Sequence, residues 1–153
     1  MRRLRVLVLM HKDLVPPDQL NGQDLEGAAW KTEYDVVSTL RKLGHEVQPL
    51  GVKSDLEVIR AAVEDWKPHI AFNLLEEFDG RAVYDQNVVS YLELMRIPYT
   101  GCNPRGLMLA RDKALAKQVM SYHRIPYPEF MVVPMHRMVR RPKYLPFPLI
   151  VKS

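Results

Sequence analysis

Residues 4–10 read Leu-Arg-Val-Leu-Val-Leu-Met, and this short run decides the fold. It is almost continuously apolar, which is the pattern of a parallel strand buried on both faces. The polar residues His11, Lys12 and Asp13 follow at once, so the run is neither a signal peptide nor a membrane span. The run therefore predicts the first central strand of a parallel sheet.

Helical and strand patterns alternate after this run. Two capping boxes, Thr32 with Asp35 and Ser54 with Glu57, predict the starts of two helices. Strands are predicted at 46–50, 69–75 and 97–101, and a third helix around 88–95. This order predicts a parallel sheet with helices on both faces, because parallel neighbours need helical crossovers. Ligands of such sheets bind at the carboxyl ends of the strands, here from residues 11, 75 and 100 onward.

The later part of the chain has a different character. Arg111-Asp112-Lys113 predicts the start of a further helix. Residues 129–133 and 148–152 predict two strands of a second sheet, and the basic, proline-rich stretch 134–146 between them predicts an exposed loop. We therefore expect an N-terminal domain at 1–103 and the beginning of a second domain at 104–153.

Composition narrows the function classes. A sequence with 47% hydrophobic and 26% charged residues is typical of a globular protein, and no apolar stretch approaches the ~20 residues of a membrane span. The net charge of +4 would suit an anionic ligand, but much of the excess lies in the stretch 137–143 without interleaved aromatic residues, so we expect no nucleic-acid partner. The single cysteine, Cys102, excludes an internal disulfide and favours the cytoplasm. It is predicted to be a small buried apolar residue rather than a nucleophile.

Several well-known motifs are absent from the sequence. It contains no G-x-G-x-x-G, no P-loop and no G-x-S-x-G elbow, and its five histidines do not have zinc-ligand spacing. A dehydrogenase, a P-loop enzyme and a zinc enzyme are therefore disfavoured.

An ordered set of short motifs carries a family resemblance. The set comprises Pro98-Tyr99-Thr100-Gly101, Arg111-Asp112-Lys113, Ile125-Pro126 and the run Phe147-Pro148-Leu149-Ile150-Val151-Lys152. Together they resemble the D-alanine–D-alanine ligase branch of the ATP-grasp superfamily. The fold class that this resemblance implies is α/β, with a Rossmann-like parallel-sheet N-terminal (pre-ATP-grasp) domain followed by the first part of an ATP-grasp domain.

The resemblance also implies an activity and its residues. The family joins a carboxylate to an amine through an acyl phosphate made from ATP, so amino acids or peptides are the expected substrates. Lys113 and Lys152 match two family lysines that contact ATP, and a lysine ammonium suits a phosphate. Glu33 matches a glutamate that holds a substrate amino group. The Mg²⁺ ligands are expected beyond Ser153, so the chain alone should be inactive. The family dimerises through its N-terminal region, which makes a homodimer the protein partner that the resemblance implies.

Alternatives stay open at several positions. A glutamate at the start of a helix is also favoured by the helix dipole alone, which competes with the functional interpretation of Glu33. The acidic residues Glu76, Glu77 and Asp79 stand where the family has a different motif, and solvent exposure is the favoured interpretation for them. These departures suggest a relative with a different substrate. The alternative function is a non-catalytic module that binds an amino acid or peptide, or that dimerises.

Overall fold

The computed structural model describes residues 2–18, 25–134 and 136–152. The chain divides after Met108 into two compact units. Two short 3₁₀ helices, Lys12–Leu14 and Ala82–Tyr84, accompany the main elements. In chain order these are β1 (Arg5–His11), α1 (Lys31–Lys42), β2 (Glu46–Val52), α2 (Glu57–Trp66), β3 (Ile70–Asn73), α3 (Asp85–Leu94), α4 (Pro104–Arg111) and α5 (Lys113–Tyr122).

The first unit is built on a three-stranded parallel sheet with the order β2-β1-β3. The central strand β1 aligns Val8 with Pro49 of β2 and with Phe72 of β3. Residues 6–10 of β1 are buried without interruption. The prediction of a central strand buried on both faces is confirmed, and it follows from the apolar run that opens the sequence.

Helices cover both faces of the sheet. Leu7 and Leu9 pack in a cluster with Ile59 of α2 and Leu92 of α3. The alternate residues of β1 point to the opposite face, where Val6, Val8 and Met10 pack with Val37 of α1. The predicted α/β class is therefore confirmed.

The helix starts differ from both predicted capping boxes. α1 begins at Lys31 after Trp30, whose side chain makes no capping hydrogen bond, so Thr32 lies inside the helix. α2 begins after Leu56, and Asp55 Oδ1 accepts the backbone N–H of Glu57 at 2.8 Å. A local turn closed by an aspartate side chain competes with the Ser54 cap and moves the helix start toward the C-terminus.

The predicted fourth strand is only one bridge. Tyr99 pairs in parallel with Ala71 beside β3, and Thr100 Oγ1 then accepts the backbone N–H of Asn73 at 3.0 Å. The Thr100 side chain thus occupies the Asn73 N–H, which would otherwise extend the backbone pairing, so the pairing ends at this point. Strand β3 covers Ile70–Asn73 and is shorter than the predicted 69–75.

The second unit, from Leu109 onward, contains α5 as its regular element within 109–134 and 136–152. The predicted start of this helix is confirmed, since Asp112 Oδ1 accepts the backbone N–H of Leu115 at 2.9 Å. The strands predicted at 129–133 and 148–152 do not form, and Val151 is 95% exposed. Strand patterns need a neighbouring strand to satisfy their backbone groups, and these two segments do not pair.

Helix α4 was not predicted. Its start carries a clear signal, because Asn103 Oδ1 accepts the backbone N–H of Gly106 at 2.9 Å and Pro104 occupies the first helical position. In the part of the chain that the structure describes, no helix is long and apolar enough to cross a membrane.

Candidate functional site

The carboxyl edge of the sheet in the first unit carries a chain of charged side chains. His11 ends β1, and its Nε2 lies 3.4 Å from Glu77 Oε1, which follows β3. Lys53 directly follows β2, and its Nζ lies 3.4 Å from Asp13 Oδ2. The carboxyl ends of all three strands therefore meet at this edge, as expected for a parallel sheet.

The contacts of His11 favour one tautomer of its neutral ring. The backbone N–H of Asp13 donates to His11 Nδ1 at 3.2 Å, so Nδ1 is an acceptor when the ring is neutral. The proton of the neutral ring then lies on Nε2, which faces Glu77. The side chain of Glu77 is 38% exposed, and Glu76 and Asp79 are exposed, so all three acidic residues are in contact with solvent.

Glu33 carries a carboxylate that is buried within the first unit. It is 7% exposed, and its Oε2 is buried with no hydrogen-bond partner among the described residues. Glu33 lies one helical turn before the buried Val37, and therefore on the side of α1 that packs on the sheet. Because a crossover helix runs antiparallel to the strand before it, the first turn of α1 lies toward the carboxyl edge. Glu33 is the third residue of the helix, not the first as expected, because the helix begins at Lys31.

Tyr99 belongs to the motif Pro98-Tyr99-Thr100-Gly101. Its hydroxyl group donates a hydrogen bond to Glu93 Oε1 at 2.7 Å. This hydrogen bond, together with burial and the negative charge of Glu93, raises the pKa of Tyr99 to about 12. The neighbouring Cys102 is exposed, so its predicted burial is wrong. Cys102 lies immediately before the Asn103 cap, where a helix start keeps the chain at the surface.

The two lysines of the predicted ATP site lie in the second unit. Lys113 is the first residue of α5 and is exposed, and Lys152 is exposed in an irregular segment. Neither forms an ion pair with a described carboxylate, whereas Lys117 donates to Pro128 O at 3.2 Å and lies over the Phe130 ring. Both ammonium groups are thus available to an anion, but no contact brings them together. Within the described residues there is no group of three or more His, Cys, Asp or Glu side chains that could hold a metal ion.

The sequence analysis missed the network of His11, Asp13, Lys53 and Glu77. The signal in the sequence is that each of these residues lies at the carboxyl end of a strand or a few residues beyond it, in the segments expected to converge. The first unit is thus a domain of the parallel α/β class with a charged carboxyl edge, and its buried carboxylates include Glu33 and Asp85.

Comparison with known proteins shows which family of α/β proteins the chain resembles in sequence. No protein-family model matches the sequence. The D-alanine–D-alanine ligase of Acidiphilium cryptum is 32% identical over 117 residues, which cover 76% of this chain and 37% of that ligase. The D-alanine–D-alanine ligase of Oleidesulfovibrio alaskensis is 30% identical over 138 residues, which cover 84% of this chain and 43% of that ligase.

A solved structure agrees on the fold. The D-alanine–D-alanine ligase of Bacillus anthracis, crystallised with ATP, superposes with a TM-score of 0.63 at 20% identity, over 90% of this chain and 41% of that one. The chain is a relative of the D-alanine–D-alanine ligases and matches the N-terminal portion of that family. It spans less than half the length of these ligases.

Proposed function

We propose that the chain forms the N-terminal part of an ATP-dependent ligase that joins a carboxylate to an amine through an acyl phosphate. Similarity to D-alanine–D-alanine ligases over 76% of the chain supports the family of reaction. In this proposal residues 1–103 form the substrate domain and residues 104–153 begin the ATP-binding domain. The cytoplasm is the proposed location.

The observation that carries the proposal is the buried carboxylate of Glu33. An unsatisfied buried polar group costs about 1–3 kcal/mol, and a charged group costs more. A helix-capping role does not require this burial, because a carboxylate can complement the helix dipole while exposed, as Glu57 does in the first turn of α2. A substrate ammonium group at the carboxyl edge would supply the missing partner of Oε2.

The exposed lysines fit an ATP phosphate chain. Each offers an ammonium group that no described carboxylate neutralises, and such a group makes charge-assisted hydrogen bonds with phosphate oxygens. Lys113 also begins α5, where helix N–H groups favour an anion. The Mg²⁺ that accompanies ATP would be held by residues other than these, and we propose that they follow Ser153.

The proposed roles of Glu33, Lys113 and Lys152 are substrate binding and charge neutralisation. ATP supplies the phosphoryl group that activates the substrate carboxylate. Glu33 would orient the amino acid through its ammonium group, and Lys113 and Lys152 would neutralise phosphate charge. Catalysis of this type depends mainly on positioning and electrostatics, so each residue should affect one substrate more than the other.

Steady-state kinetics of a complete ligase that contains this chain test the proposal. Glu33→Gln keeps the size of the side chain but removes the charge, so the KM for the amino acid should rise while the KM for ATP changes little. Asp35→Asn is the matched control, because Asp35 is an exposed carboxylate on the same helix. An unchanged amino-acid KM in Glu33→Gln would remove Glu33 from the site.

A further inference from the structure

A cavity of about 220 Å³ lies between α1, residues 16–18 and the edge strand β2. Tyr34, Ser38 and Arg41 contribute to it from successive turns of one side of α1. Sites for drug-sized ligands usually measure about 300–1,000 Å³, so this cavity suits a smaller molecule.

The walls of the cavity are mostly apolar. Pro16 and Pro17 form one side, Pro49 of β2 another, and the buried Val37 also lines it. Proline has no backbone N–H, so these walls present few hydrogen-bond donors. A ligand here would therefore place an apolar group against the prolines and Val37.

Two opposite charges line the same cavity. Asp18 and Arg41 are both exposed, and neither is ion-paired with the other or with a further described residue. A guanidinium group binds a carboxylate through two parallel hydrogen bonds, and a carboxylate accepts hydrogen bonds from an ammonium group. An α-amino acid carries both of the groups that these two side chains can bind.

Close packing holds this loop in place. The segment that leads into Pro16 lies directly on β2 at Gly51, where an added Cβ would be 2.8 Å from Val15 Cγ2 and 3.0 Å from Lys12 Cα. Real side chains do not approach this closely, so only glycine allows the loop to rest there. The packing at Gly51 thus holds the start of this loop, from Lys12 to Val15, against β2.

We propose that this cavity binds a free α-amino acid with an apolar side chain, its carboxylate on Arg41 and its ammonium group on Asp18. Glu33 does not line the cavity, so this site is separate from the proposed substrate position at the carboxyl edge. The inference therefore holds or fails independently of the ligase activity.

NMR titration of the 153-residue chain with leucine tests it. Leucine should cause saturable shifts of Tyr34 and Ser38 amides, while 4-methylpentanoate, which lacks the amine, and isoamylamine, which lacks the carboxylate, should bind several times more weakly. Arg41→Gln and Asp18→Asn should each weaken leucine binding about two- to fivefold, as expected for exposed charge pairs. Arg140→Gln, an exposed charge in the second unit, should leave it unchanged.

Two further variants keep the test decisive. Gly51→Ala should weaken leucine binding because it displaces the loop, whereas Asp35→Asn changes an exposed carboxylate of α1 that does not line the cavity and should leave leucine binding unchanged. If leucine and its two analogues bind equally, or if leucine causes no shift, the amino-acid site is wrong. Loss of leucine binding in Glu33→Gln but not in Arg41→Gln would also overturn it and move the ligand to the carboxyl edge.

Discussion

Replacement of Glu33 by leucine should stabilise the protein while it abolishes the proposed substrate contact. Glu33 is 7% exposed, and its Oε2 has no partner among the described residues, so the carboxylate carries a desolvation cost without a compensating bond. Leucine has a comparable size, is a good helix former and would extend the apolar cluster that contains Val37.

The expected magnitude follows from two opposing effects. Removal of an unsatisfied buried polar group recovers about 1–3 kcal/mol. Loss of a negative charge in the first turn of α1 costs about 0.3–1 kcal/mol. The net stabilisation of Glu33→Leu should therefore be about 0–2.7 kcal/mol, which raises the Tm by up to roughly 11 °C for a chain of this length.

Thermal melting of the 153-residue chain measures this effect. Asp35→Leu serves as the control, since it removes an exposed carboxylate from the same helix and should lower or barely change the Tm. If Glu33→Leu destabilises the protein more than Asp35→Leu does, the carboxylate has a stabilising partner. The argument that its burial reflects an absent substrate would then be wrong.

Three further predictions concern Tyr99, the α5 cap and the two lysines. The hydrogen bond to Glu93 raises the pKa of Tyr99 from 10.0 to about 12. The stability that this hydrogen bond contributes is therefore complete below pH 10 and is lost as the pH rises toward 12. Tyr99→Phe should remove this pH dependence from alkaline melting curves. Asp112→Ala removes the N-cap of α5 and should cost about 1 kcal/mol, measured by chemical denaturation. In a complete ligase, Lys113→Ala and Lys152→Ala should each weaken ATP binding or turnover at least about tenfold, because a charge-assisted phosphate contact contributes about 1.5–3 kcal/mol.

Each of these predictions has a control and a contradicting result. Tyr122→Phe alters a tyrosine that is 84% exposed and should leave the alkaline melting curve unchanged; the same loss of pH dependence in both variants would contradict the Tyr99 assignment. Asp112→Asn should retain most of the cap, so equal loss in both variants would exclude capping as the cause. Lys143→Ala, another exposed lysine of the second unit, should leave ATP kinetics unchanged, and normal kinetics in both lysine variants would rule out the ATP site.

The sequence predicted best where a pattern repeats locally. The apolar run 4–10 led directly to the buried β1, because burial on both faces requires almost every residue to be apolar. The strands expected at 129–133 and 148–152 failed for the opposite reason. An apolar pattern states only that a segment can pair, and pairing depends on a second strand.

The candidate site was also predicted only in part, because some of its contacts depend on residues that are distant in sequence. The sequence marked the ends of the strands as the ligand-binding edge, and Glu33 as a substrate residue, but it could not show that Glu33 Oε2 lacks a partner. The contact between His11 and Glu77 joins residues that are distant in sequence, so register and topology must be known before it can be predicted. The cavity between Asp18 and Arg41 likewise depends on how the loop rests on Gly51.

The central claim, that this chain supplies the substrate domain of an ATP-dependent ligase, is tested most directly by a domain exchange. The matching N-terminal portion of the Acidiphilium cryptum D-alanine–D-alanine ligase is replaced by residues 1–153, and ADP release is measured with ATP and a panel of D- and L-amino acids. We predict amino-acid-dependent ADP release that falls in the Glu33→Gln version of the exchanged protein. An exchanged protein that is folded and binds ATP, but releases no ADP in response to any amino acid, would contradict the account.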